Sequence, residues 1–238
     1  MRLLDRLVPS LLVLVLGWAC DGAPVAVASG SPALQLGAMT IAAPPEPVAS
    51  ATRGEVVLVE LGPPFPADLR TAIEEGLRDE LAVEVVWHER IPLPRAAWYA
   101  PRKRWRADVI LEHLLTLVPE APASTRVLGL TTKDISTTKG EHHDWGVFGL
   151  GYMPGQAAVI SSYRLRRGAK DREQLRARVT TTAVHEVGHT FGLDHCPEAR
   201  CPMQDAQGGI DNTDTSTGRL GPQCRAELEA EHPLRSAP

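Results

Sequence analysis

The sequence predicts an α/β (α+β) domain built on a mixed sheet of four or five strands with about three helices. Short β-branched runs recur along the chain, and stretches with apolar residues four apart separate them. One further pair of apolar segments folds back across Met153-Pro154-Gly155-Gln156. Alternation of this kind packs helices onto a sheet. The chain has 238 residues, 43% hydrophobic and 23% charged, enough for one medium domain with a real core.

Val56 to Leu61 is a β-branched run closed by Gly62-Pro63-Pro64, the pattern of a buried strand. Ala67 to Ala82 follows as an amphipathic helix with Leu69, Ile73, Leu77 and Leu81 on one face. Val83 to Trp87 makes a second strand. Arg106 to Val118 makes a second helix, carrying Val109, Ile110, Leu114 and Leu117. Arg126 to Leu130 is a third strand, after which Thr131 to Thr138 turns polar. Val147 to Tyr152 and Ala157 to Tyr163 are the arms of a hairpin. Asp171, with Gln174 three residues on, caps a third helix that runs into the segment beginning at His185.

Residues 1–20 read as an export signal, with Arg2 and Arg6 ahead of an apolar Leu7 to Ala19 too short to span a bilayer. Two endings are open. Leu16-Gly17-Trp18-Ala19-Cys20 resembles a bacterial lipoprotein signal in which Cys20 is acylated, whereas Ala26-Val27-Ala28 offers cleavage to a soluble form. Residues 21–53, rich in Ala, Pro, Ser and Gly, read as a spacer, and 54–238 as the domain. The expectation is an exported protein, periplasmic or at the cell surface, whose only membrane link is a lipid at Cys20. A net charge of -4 gives no electrostatic case for a nucleic-acid partner. The basic run Arg102, Lys103, Arg104 and Arg106 reads as a solvated surface.

Residues 185–195 read His-Glu-Val-Gly-His-Thr-Phe-Gly-Leu-Asp-His. Positions four apart share a helix face, so His185 and His189 can aim both imidazoles at one zinc ion. Glu186 stands one residue along, placed to meet a water on the metal. Gly192 permits a left-handed exit from the helix, which would bring His195 round as a third ligand. Three protein ligands leave a fourth position open, the mark of a catalytic rather than a structural zinc.

After His195 come Cys196, Cys201 and Met203, then seventeen residues from Gln204 to Leu220, then Gly221-Pro222-Gln223-Cys224. The stretch from 185 to 224 resembles the archaemetzincins, zinc metallopeptidases of the metzincin clan. The resemblance implies a metzincin-like catalytic domain whose active-site helix is followed by a Met-turn. His185, His189 and His195 would hold the catalytic zinc. Glu186 would be the general base for hydrolysis of a peptide or protein substrate by a zinc-activated water, and Met203 the floor beneath the site. No Tyr occurs downstream of Met203, so no Tyr ligand is expected.

Family cysteines bind a second, structural zinc, which makes Cys196, Cys201 and Cys224 candidates. Gly221 replaces the fourth, and that loss argues against a stable second zinc. Asp205, Asp211, Asp214, His232 or a water could complete the tetrahedron, or two cysteines could pair as a disulfide in an oxidising compartment. The clan arrangement also places an edge strand above the helix to pair with substrate, here Val147 to Met153, where Gly149 and Gly151 would permit close backbone approach. His142 and His143 read as a polar loop. The rival functions are an amidase with the same ligands acting on a non-protein substrate, and a catalytically silent zinc-binding surface module.

Overall fold

The computed structural model describes residues 51–235. The export signal, both of its endings and the spacer up to residue 50 lie outside them. Strand β1 (Glu55–Leu61) leads to helix α1 (Ala67–Leu81) and strand β2 (Glu84–Trp87). Short β3 (Trp98–Tyr99) and β4 (Arg104–Arg106) precede α2 (Ala107–Leu115) and β5 (Thr125–Thr131). Then come β6 (Ile135–Lys139), β7 (His142–Val147), β8 (Gly149–Gly151), β9 (Ala157–Ser161) and α3 (Ser162–Leu165). Helices α4 (Arg172–Thr190), α5 (Asp211–Thr215) and α6 (Pro222–Glu231) complete the described residues. Thr52 and Arg53, assigned to the spacer from sequence, already pack on the domain: Thr52 bridges Arg235, and Arg53 is buried.

The main sheet runs β2-β1-β5-β9-β8, parallel except for the edge strand β8, which lies antiparallel to β9. Successive side chains of a strand point to opposite faces, and both faces here are covered. Val56, Leu58, Leu128, Leu130, Ala158 and Ile160 meet α1 and α4 on one side. Val59, Leu61, Val127, Ala157 and Val159 meet Ile110, Leu111 and Leu114 of α2 on the other. The four-apart leucines and isoleucine of α1 are all buried, each stabilising the fold by about 1.5–3 kcal/mol. Gly76 of α1 lets the α4 backbone approach, since a Cβ there would stand 2.3 Å from Thr180 Cγ2.

The predicted mixed sheet is present, but a second one was not anticipated. β3, β4, β6 and β7 form a four-stranded sheet that includes the polar run after Thr131. Its strands are only two to six residues long and none carries a sustained hydrophobic alternation to announce it. His142 and His143 belong to β7 instead of a loop. The single arm expected from Val147 to Tyr152 is divided: β7 ends at Val147 in the second sheet, and β8 starts at Gly149 in the first. The other arm ends at Ser161, whose side-chain oxygen caps α3 by accepting the Tyr163 N–H at 3.1 Å. Among the described residues six α-helices stand where about three were expected, the extra ones being short or apolar on few positions.

Nor is the basic run a solvated surface throughout. Arg104 pairs with Asp134 at 3.0 Å and Asp144 at 2.7 Å, and buried Arg106 with Asp108 at 3.0 Å. These arginines lock β4 to its neighbours, which leaves little of their charge for a partner. Among the described residues no helix is long and apolar enough to cross a membrane.

Asp171 Oδ1 accepts the Gln174 N–H at 2.8 Å, as the capping pattern requires, and α4 then runs without a break to Thr190. Midway, the buried Arg178 grips Asp214 of α5 at 2.6 and 2.8 Å and the carbonyls of Leu165 and Arg167. This guanidinium holds the Asp214 carboxyl below its ordinary 3.8. A depressed carboxyl pKa stabilises the fold fully above the unfolded value and loses that contribution as pH falls through the folded one. Asp214→Asn is therefore expected to cost about 1 kcal/mol at pH 7, a value reduced for partial exposure. In urea unfolding the gap between variant and parent should close as pH drops below 3.8, and a constant gap would remove the ion pair as its cause.

Candidate active site

The end of α4 aims the first two histidines. After Thr190 the chain leaves through Gly192 at φ +92°, with Gly192 N–H bonded to His189 O at 2.8 Å and Leu193 N–H to Gly188 O at 3.2 Å. That pair of bonds is a Schellman turn, which needs a left-handed residue and so favours glycine. The turn carries Leu193 O onto His189 Nδ1 at 2.7 Å, and Pro202 O lies 2.8 Å from His185 Nδ1. Carbonyls only accept, so each Nδ1 carries the proton and each Nε2 presents a lone pair. The two Nε2 atoms stand 3.0 Å apart and therefore do not bond to each other.

Two facing lone pairs at this distance are well placed to hold a cation between them. Zinc–nitrogen bonds of roughly 2.0–2.1 Å at the tetrahedral angle put two ligand nitrogens about 3.3 Å apart, close to what is found. His195 comes round on the same turn, and the ligand atoms of all three histidines lie within 4.8 Å of one another. Burial first, and then the neighbouring His189, push His185 down to about 3. Burial likewise lowers His189. Both rings are thus neutral, the state a metal requires, and the donor set fits zinc.

Glu186 is 7% exposed and lines the cleft with these histidines. Burial pushes its carboxyl up to about 8, and a nearby dication would draw it back down. The cleft holds about 460 Å³ and is walled by β7, β8, the His195 turn and the loop after Met203. Met203 is fully buried and packs against Gly188, the residue before His189. Its sulfur has room because residue 188 is glycine: a Cβ there would stand 2.7 Å from Sδ. A glycine inside a helix is unfavourable by about 1 kcal/mol, so Gly188 signals a close approach in the sequence, and the structure shows that Met203 makes it.

Gly149 and Gly151 do permit a close approach, that of α4 to the back of the strand. A Cβ on Gly149 would stand 2.5 Å from Glu186 Cγ, and one on Gly151 would stand 2.6 Å from the Glu186 backbone oxygen. Ser161 N–H bonds Phe148 O at 2.8 Å and Tyr152 N–H bonds Ala157 O at 3.0 Å. Ladder alternation then turns the N–H and C=O groups of Gly149 and Gly151 away from β9, toward the open edge.

The three sulfurs of Cys196, Cys201 and Cys224 lie within 4.8 Å of one another, all buried and all free thiols. The expected alternative of a disulfide is not formed. Burial, with the Cys196 and Cys201 thiols beside it, raises the Cys224 thiol. The proposed substitutes for a fourth thiolate are engaged elsewhere. Asp214 is held by Arg178, and His232 Nε2 meets Phe191 O at 2.9 Å. Asp205 lines the active-site cleft, and Asp211 opens α5.

A helix carrying paired imidazoles and a buried carboxylate, under an antiparallel edge strand, has the make-up of a metal-dependent hydrolase. Comparison with known proteins gives the family. Residues 69–230 match Peptidase family M54, and the chain belongs to it. The archaemetzincin of Haloquadratum walsbyi is 31% identical over 156 residues, spanning 62% of this chain and 86% of that protein. That of Haloarcula marismortui is 34% identical over 144 residues, spanning 58% and 79%. The crystal structure of Methanopyrus kandleri archaemetzincin superposes with a TM-score of 0.64 at 30% identity, covering 75% of this chain and 94% of that one. The resemblance read from residues 185–224 therefore holds for the family, the fold and the enzyme class.

Proposed function

We propose that the chain hydrolyses peptide bonds at this cleft, with His185, His189 and His195 holding zinc and Glu186 as the general base. The observation that carries this reading is the pair of Nε2 lone pairs, fixed by Pro202 O and Leu193 O to converge at 3.0 Å beside the Glu186 carboxyl. Zinc bound there supplies a Lewis acid that acidifies water and polarises the scissile carbonyl. The Glu186 carboxylate takes the proton of the attacking water and returns it to the leaving nitrogen. The outward N–H and C=O groups of Gly149 and Gly151 pair with an extended peptide, which aligns its carbonyl over the histidines. That free edge favours a peptide over the non-protein substrate of an amidase, and the retained Glu186 speaks against a silent binding module.

Metal removal tests the assignment. Dialysis against a chelator is expected to bring hydrolysis of a mixed peptide library to background, and added zinc to restore it. His189→Ala should lose the catalytic zinc and stay inactive when zinc is returned. Full activity in the chelated, metal-free protein would overturn the reading.

A further inference from the structure

Gly221 leaves the three buried thiols without the fourth ligand of the family pattern, and the space that residue vacates is filled. A Cβ placed on Gly221 would lie 1.6 Å from Glu198 Oε2. The carboxylate oxygen therefore stands where a side chain at 221 would begin. The same oxygen is shielded from solvent and has no hydrogen-bond partner. Its companion Oε1 accepts the Gln223 N–H at 3.2 Å at the start of α6. Capping of that helix explains Oε1 and leaves Oε2 unexplained. A buried carboxylate oxygen without a partner is costly, and a cation is what would satisfy it.

We propose that Glu198, with Cys196, Cys201 and Cys224, forms a second zinc site of three thiolates and one carboxylate. Cys201 Sγ and Cys224 Sγ are 3.8 Å apart. Zinc–sulfur bonds of about 2.3 Å at the tetrahedral angle give the same spacing, about 3.8 Å. Backbone donors already point at the sulfurs, Glu198 N–H to Cys196 Sγ at 3.4 Å and Gly221 N–H to Cys201 Sγ at 3.3 Å. Such donors favour thiolates and orient them. The carboxylate lies outside the 4.8 Å set of sulfurs and joins it by turning about its own side-chain bonds. Three thiolates and a carboxylate carry the same total charge as four thiolates, so the exchange leaves the electrostatics of the site unchanged. The site would tie Cys196, next in chain to His195, and the Met-turn loop to α6, fixing the third histidine from behind.

Zinc counted on the full chain after dialysis, with His189→Ala as the background that empties the catalytic site, tests this. Wild type should hold about two zinc ions per chain and His189→Ala about one. Cobalt(II) in His189→Ala should give a thiolate-to-cobalt absorption band. Adding Glu198→Ala should weaken metal binding at that site by at least about 100-fold and shift the band. Gly221→Cys added to Glu198→Ala should restore binding, because residue 221 has an ordinary φ of -65° and the carboxylate that blocked its Cβ is gone. Should Glu198→Ala not fold, Glu198→Gln keeps the volume and must still alter the cobalt band. A single zinc in wild type, or an unchanged affinity and band in the Glu198 variants, would overturn the proposal.

Discussion

Glu186→Gln is expected to lower kcat/KM on peptides by about 10²- to 10⁴-fold while bound zinc stays at the parental level. The substitution keeps the shape of the side chain and takes away its capacity to accept a proton. Nothing else should be lost, because Glu186 forms no ion pair among the described residues and its Cγ rests on Gly149 through packing alone. His185 and His189 are oriented by Pro202 O and Leu193 O, neither of which depends on the carboxylate. Peptide turnover and elemental analysis on one preparation check the two halves together. Hydrolysis at the parental rate would remove Glu186 as the base, and loss of zinc would instead make it a support of the metal.

How far the sequence could carry this reading follows from the range of the forces involved. The α1 face, the parallel strands and the capped α4 depend on local periodicity and capping, and Leu69, Ile73, Leu77 and Asp171 were each legible alone. The cluster of His185, His189 and His195 was legible because helix geometry and one glycine turn fix their relation within eleven residues. The second sheet was not, because Arg104, Asp134 and Asp144 hold it by ion pairs between residues 30 to 40 positions apart. Glu198 was missed for a similar reason. Its relation to Gly221, 23 positions on, exists only once the loop around Met203 has been folded against α6. The close packing of α4 against the glycines of β8 was not legible either, since a sequence displays a missing side chain without displaying what fills its place.

Those two glycines give separable effects, because what each would strike differs. A methyl at 149 meets the far part of a flexible side chain, Glu186 Cγ at 2.5 Å and Oε1 at 2.6 Å. The carboxylate can swing aside, so Gly149→Ala is expected to fold and keep its zinc while kcat falls roughly 100-fold, the usual cost of misplacing a catalytic group by about 1 Å. A methyl at 151 meets the Glu186 backbone oxygen at 2.6 Å, inside a helix that cannot yield locally. There β8 and α4 must separate, and Gly151→Ala is expected to lose about 1–3 kcal/mol of stability as an overpacked interface does. Thermal unfolding and steady-state kinetics on both variants distinguish the two. A Gly149→Ala enzyme with parental kcat would mean that the position of the Glu186 carboxylate does not limit the reaction, and the assignment of that residue as base would fall with it.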